Sequence, residues 1–136
     1  MSFRKIMFDT NVFDKLPTFI EKIKSSTDRY EYYITTIQVH ELCGIPDDKI
    51  DIRKRNILML ADLRAKLVPL CIVVCGDHAI VGYSRLSSGE VYQKIINESN
   101  NNYLDAMIAE TSVIEGCTLV TEDTALFNKM KANNYS

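Results

Sequence analysis

Four short apolar stretches, each handing over to a helical pattern, limit what this chain can fold into. The first is Lys5–Phe8, the second the aromatic and β-branched run "YEYYITT" from Tyr30, the third "VPLCIVV" from Val68, the fourth "CTLV" from Cys117. Runs this short and this apolar read as strands covered on both faces. Helical signals fall between them. Pro17 suits a first helical turn, and Leu16, Phe19, Ile20 and Ile23 share one face before the loop Ser25-Ser26-Thr27-Asp28. "IQVHELCG" reads as a short helix stopped by Gly44, with Pro46 just beyond. The clearest helix is "DIRKRNILMLADLRAKL", with Ile57, Leu60, Leu63 and Leu67 on its apolar face. Ala79–Leu86 reads as another, broken by Ser87, Ser88 and Gly89, and Asn100-Asn101-Asn102 marks a loop. "YLDAMIAETSVIEG" closes at Gly116, and "TALFNKMK" turns Leu126, Phe127 and Met130 inward. Strands alternating with helices predict an α/β layered fold, a mainly parallel central sheet flanked by helices. No repeat or linker divides residues 1–136, so a single domain is expected.

The net charge of −2 lays no general positive field over the molecule, so nucleic-acid binding would need a local basic patch. Cys43, Cys71, Cys75 and Cys117 lack metal-ligand spacing and read as buried free thiols, which suits a reducing, cytoplasmic compartment. The longest apolar run, Leu67–Cys75, contains Pro69 and falls well short of the ~20 residues a spanning helix needs, so no membrane is expected.

In open parallel sheets ligands sit beyond the carboxyl ends of the strands, and acids gather there. Asp9 follows strand 1 directly, Glu41 lies about one helical turn past strand 2, and Asp123 follows strand 4 after Thr121 and Glu122. Asp105 stands at the start of a helix that can reach the same edge. Capping of the next helix explains any one of these acids taken singly. Four together repel one another and take up protons unless a cation neutralises them. Hard oxygen donors of this kind suit Mg²⁺ or Mn²⁺, and the chemistry open to such a site is phosphodiester hydrolysis. Other motifs carry less. His40 in "HEL" lacks the second histidine of a zinc-protease helix, because Gly44 stands there. Arg53, Lys54, Arg55, Arg64 and Lys66 suit phosphate contact but equally the solvated face of a helix. No substrate-binding residue stands out.

The segments "IMFDTNVF", "TTIQVHEL", "YLDAMIAETSVIEGCTLVTED" and "TALF" occur in the order found in PIN domains, and the chain resembles that family across almost its whole length. In its compact size it is similar to the VapC-type toxin ribonucleases. The resemblance implies a Mg²⁺- or Mn²⁺-dependent endoribonuclease with an acidic site carried by Asp9, Glu41, Asp105 and Asp123. Asp9, Asp105 and Asp123 would hold the metal, while Glu41 would hold a second ion or orient the attacking water. Asn11, Thr36 and Thr121 match the family's polar supporting positions, and Glu122 competes with Asp123 as the fourth ligand. "LCGIPDD" after Glu41 lacks the basic residue many such toxins carry there. The partners implied are RNA, an antitoxin protein and a second copy of the chain in a homodimer. A catalytically silent PIN module that binds RNA or protein is the other expectation, with cleavage of DNA or flap structures a third.

Overall fold

Alternation along five residues decides where the layers go. Arg4–Phe8 form β1, and successive side chains of a strand point to opposite faces. Met7 enters a core with Ile37, Leu70, Met107 and Ile108, whereas Ile6 and Phe8 turn to a second core around Phe13, Leu16, Tyr32, Ile34, Leu42, Met59 and Leu63. The computed structural model describes residues 2–26, 28–72, 84–96 and 103–136. Within them β2 (Tyr30–Ile34) lies parallel to β1 on one side, with Ile6 opposite Tyr32. Further along the chain, β3 (Lys66–Leu67) pairs with β2, and Cys71–Ile72 (β4) forms a separate parallel pair with Arg85–Leu86 (β5). β6 (Thr118–Val120) lies on the other side of β1, with Met7 opposite Leu119. The central sheet therefore runs β3-β2-β1-β6, all parallel.

Among the described residues six α-helices flank it: α1 (Leu16–Lys24), α2 (Thr36–Cys43), α3 (Ile50–Asp62), α4 (Glu90–Ile96), α5 (Tyr103–Glu115) and α6 (Thr124–Ala132). On the Phe8 face, α1 and α3 pack with Leu42 of α2. On the Met7 face lies α5, through Met107 and Ile108, and α4 and α6 close over its outer side with Val91, Ile95, Leu126 and Met130. Burial of each such side chain contributes about 1.5–3 kcal/mol. The α/β architecture with a parallel sheet and helices on both faces is the one expected from the alternation of elements.

Local differences have local causes. The expected strand Val68–Val74 is interrupted at Pro69, which has no N–H to offer a ladder. Lys66–Leu67 instead pair with β2, Cys71–Ile72 join the second sheet, and residues 73 and 74 lie outside the described residues. Of the expected helix Ala79–Leu86, residues 79–83 lie outside them too, and Arg85–Leu86 form a strand. The loop at Asn100–Asn102 and the thiol Cys75 are likewise outside.

Helix α3 stops at Asp62 rather than running to Leu67, because Arg64 takes a left-handed φ of 52° and turns the chain into β3. With that rotation Ile57 and Leu67 are exposed, and Asn56 and Met59 join Leu63 inside. Phe19 and Phe127 are exposed as well, at 53% and 52%, so the inward faces of α1 and α6 are narrower than expected. Cys71 and Cys117 are buried, but Cys43, the last residue of α2, is exposed. Helix α4 has a seven-residue pattern, Val91 and Ile95 one turn apart, that the sequence reading passed over.

Candidate functional site

The acidic edge is built outward from the last residue of β1. Asp9 keeps an extended backbone, and its N–H donates to Val120 O at 2.9 Å, so its carboxylate leaves the sheet beside the end of β6. Oδ1 accepts from the Thr10 N–H at 2.8 Å and caps the 3-10 turn Thr10–Asp14. Oδ2 accepts from the Thr121 hydroxyl, also at 2.8 Å. Thr121 accepts in turn from the Asp123 N–H at 3.0 Å. Asp123 Oδ1 caps α6, accepting from the N–H groups of Ala125 and Leu126 at 2.9 and 3.1 Å. Asn11 closes this corner by accepting from the Glu122 N–H at 3.1 Å.

Helix α2 is fastened to the same edge by a capping box, in which Thr35 caps the helix and Gln38 reaches back. Gln38 is fully buried; its Oε1 accepts from the Thr35 N–H at 2.6 Å and its Nε2 donates to Phe8 O at 3.1 Å. One turn further along α2, Glu41 accepts from the Thr10 hydroxyl. Thr36, the supporting position that the resemblance implies, is the first residue of α2, directly after the capping Thr35. The Thr36 hydroxyl is buried with no hydrogen bond among the described residues.

Asp105, third residue of α5, has no hydrogen bond or ion pair among the described residues and is half-buried. Burial, and then the charges of Asp9, Asp123 and Glu41, push its carboxyl up to about 6. Burial also raises Asp9, which is only 4% exposed; the bonds from Thr121 and Thr10 pull it down, and Asp123 adds to the rise. The other three acids thus bear on Asp105, and Asp123 bears on Asp9. Asp9, Glu41 and Asp105 line a cleft of about 370 Å³ together with Thr10, Asn11, Asp14, Leu42, Ile45 and Asn56. Asp123 stands behind it, sharing a small recess with Asp105 and Lys129. Glu122, the competing ligand, turns outward to an ion pair with Lys15 at 2.7 Å.

The donor set fits a hard divalent cation in kind: carboxylates whose oxygens retain lone pairs after capping, and one acid with no partner among the described residues. In arrangement it is not yet a cage. Among the described residues no three Asp, Glu, His or Cys side chains are gathered closely enough to grip one ion.

Several contributors escaped the sequence reading, Thr10 with its bonds to Asp9 and Glu41 among them. Gln38 had a legible signal, the Thr-x-x-Gln spacing of a capping box. Asn56 had a weaker one, a polar residue on the stripe Asn56, Met59, Leu60, Leu63. Nothing local marked Asp14, which meets Arg55 of α3 at 3.7 Å across the mouth of the cleft.

The class these observations define is a three-layer α/β protein with an acidic cleft at the carboxyl edge of a parallel sheet. No family model and no curated protein matches the chain. Among solved structures it is similar to PAE2754 from Pyrobaculum aerophilum, with a TM-score of 0.56 and 16% identity over 93% of this chain and 79% of that one. At that identity the likeness is one of fold. Among the described residues no helix is long and apolar enough to cross a membrane.

Proposed function

We propose that the chain is a Mg²⁺- or Mn²⁺-dependent endoribonuclease of PIN type, similar to the VapC-type toxins. The observation that carries this reading is Asp105. A half-buried carboxyl without a hydrogen bond or ion pair among the described residues, raised by burial and then by three neighbouring acids, is costly to keep and is the kind of group found at functional sites. In this reading Asp9, Asp105 and Asp123 hold the ion. A bound divalent ion supplies the charge that offsets the acids and the negative charge developing on phosphate. Asp9 is fixed for that task by Thr10 and Thr121, and Glu41, held by the Thr10 hydroxyl, orients the attacking water. The partners that follow are an RNA substrate, an antitoxin protein restraining the enzyme, and a second copy of the chain. A cytoplasmic setting agrees with the unbridged thiols of Cys43 and Cys117.

A second reading, a silent PIN module that binds RNA or protein, is favoured by one observation. Asp9 and Asp123 already serve as caps, and no three metal-ligating side chains converge among the described residues. The two readings part in a cleavage assay on a labelled RNA pool with Mn²⁺, Mg²⁺ or EDTA, alongside Asp9→Asn and Asp105→Asn. The enzyme cuts only with metal and both variants are inactive; metal-independent cutting, or equal activity in the variants, defeats the proposal.

A further inference from the structure

Most of the groups lining the cleft cannot receive an anion. Asp9, Asp14, Glu41 and Asp105 offer only acceptors when ionised, and the Thr10 hydroxyl is spent on Glu41. A phosphodiester also offers only acceptors, so whatever positions it must donate. Among the polar side chains of the lining that leaves two carboxamides, Asn11 and Asn56. Asn11 is exposed, with its Oδ1 tied to the Glu122 N–H. Asn56 is 2% exposed and sits in the middle of α3 on a stripe otherwise apolar. Its Oδ1 faces the Arg55 guanidinium, with Nε and Nη2 both at 3.4 Å, which sets the amide so that Nδ2 is the end left over. Nδ2 donates to no acceptor among the described residues. That amide nitrogen is not among the buried polar atoms left without a partner, so it stays accessible, and the residue lines the acidic cleft.

Resting on the nuclease reading above, we propose that Asn56 is a substrate-binding residue, whose Nδ2 donates to a non-bridging oxygen of the bound phosphodiester. Helix α3 holds it rigidly, and Arg55 beside it, already drawn to Asp14, brings positive charge to the same rim. The contact is to the backbone and not to a base or a 2′-hydroxyl, so it holds equally for the ribose and deoxyribose forms of one sequence.

The test measures kcat and KM on a labelled single-stranded RNA with Mn²⁺. Affinity for the same strand and its DNA counterpart is measured with Ca²⁺ in place of Mn²⁺, and thermal stability is followed throughout. Loss of a hydrogen bond to a charged group is worth about tenfold or more. Asn56→Ala is therefore expected to raise KM and weaken binding of both strands by about that factor, with kcat less affected. Asn56→Asp, which places a fifth acid in the cleft, should lose more, and Asn56→Ser, which keeps a donor, should lose less. If Asn56→Ala does not fold, the Ser and Asp variants still rank by donor and charge. Unchanged KM and affinity beside a fall in melting temperature would make Asn56 structural and overturn the inference while the nuclease reading stands. A loss confined to RNA overturns the phosphate contact. Absence of cutting and of binding by the parent protein defeats the nuclease reading, and the inference with it.

Discussion

Near the start of β1, Lys5 donates to Glu115 O at 3.3 Å and lies 5.4 Å from the centre of the Tyr33 ring. Lys66 meets Glu31 there at 2.8 Å, and Glu31 in turn accepts from the Tyr33 hydroxyl at 2.8 Å. Just past the end of the same strand, the charges of Asp9, Asp123 and Glu41 bear on Asp105, with no ion pair among the described residues. The first group satisfies its charges at the surface, where pairing is worth little and losing it costs little. The second concentrates one sign of charge in a half-buried cleft, where repulsion and desolvation add. A fold selected for stability alone has no reason to keep the second arrangement. On the nuclease reading, the carboxyl edge is the place where stability is given up for chemistry.

The strongest way to break this contrast is Asp105→Asn. On the nuclease reading it lowers cleavage by on the order of 10³-fold, from the loss of an interaction with the reacting centre; an RNA-cleavage time course reads it directly. Next in size is Gln38→Ala, which leaves Phe8 O and the Thr35 N–H unpaired in a buried place and should cost about 2–3 kcal/mol in urea unfolding. A loss below about 0.5 kcal/mol would mean that α2 is held to the sheet by apolar packing alone.

The pH dependence sharpens the comparison further. The folded-state value of Asp105, about 6, lies above the ordinary 3.8, so the folded protein binds this proton more tightly than the unfolded chain. The stability it confers is full below about 3.8 and is lost as pH rises through about 6. Asp105→Asn should therefore stabilise the fold at pH 7 by on the order of 1–2 kcal/mol, read as a higher melting temperature, with the gain gone near pH 4. Millimolar Mn²⁺ should stabilise the parent and act more weakly on the variant. At the other end of the strand Glu31→Gln should move stability far less than Gln38→Ala does, and less still in high salt. A larger effect there would remove the distinction between the two regions.

How much of this was legible follows from the range of each signal. Strand alternation and the caps after strands are local, so β1, β2, β6 and the positions of Asp9, Glu41, Asp105 and Asp123 along the chain could be read from spacing. The inward faces of α1, α3 and α6 were read too wide. Apolar spacing gives a stripe's period but not its rotation, and Phe19, Ile57 and Phe127 ended outside it.

By itself the sequence determined a layered α/β protein with a parallel sheet and with acids stationed where its strands end, since side-chain period and cap chemistry act over a few residues. Only the tertiary structure decided that Thr121 would hold Asp9 across 112 residues of chain, that Glu122 would turn away to Lys15, and that Asp14 and Asn56 would join the cleft. Those outcomes depend on the turn at Arg64, on how α3 rotates against the sheet, and on distances between elements far apart in the chain, which no local pattern encodes.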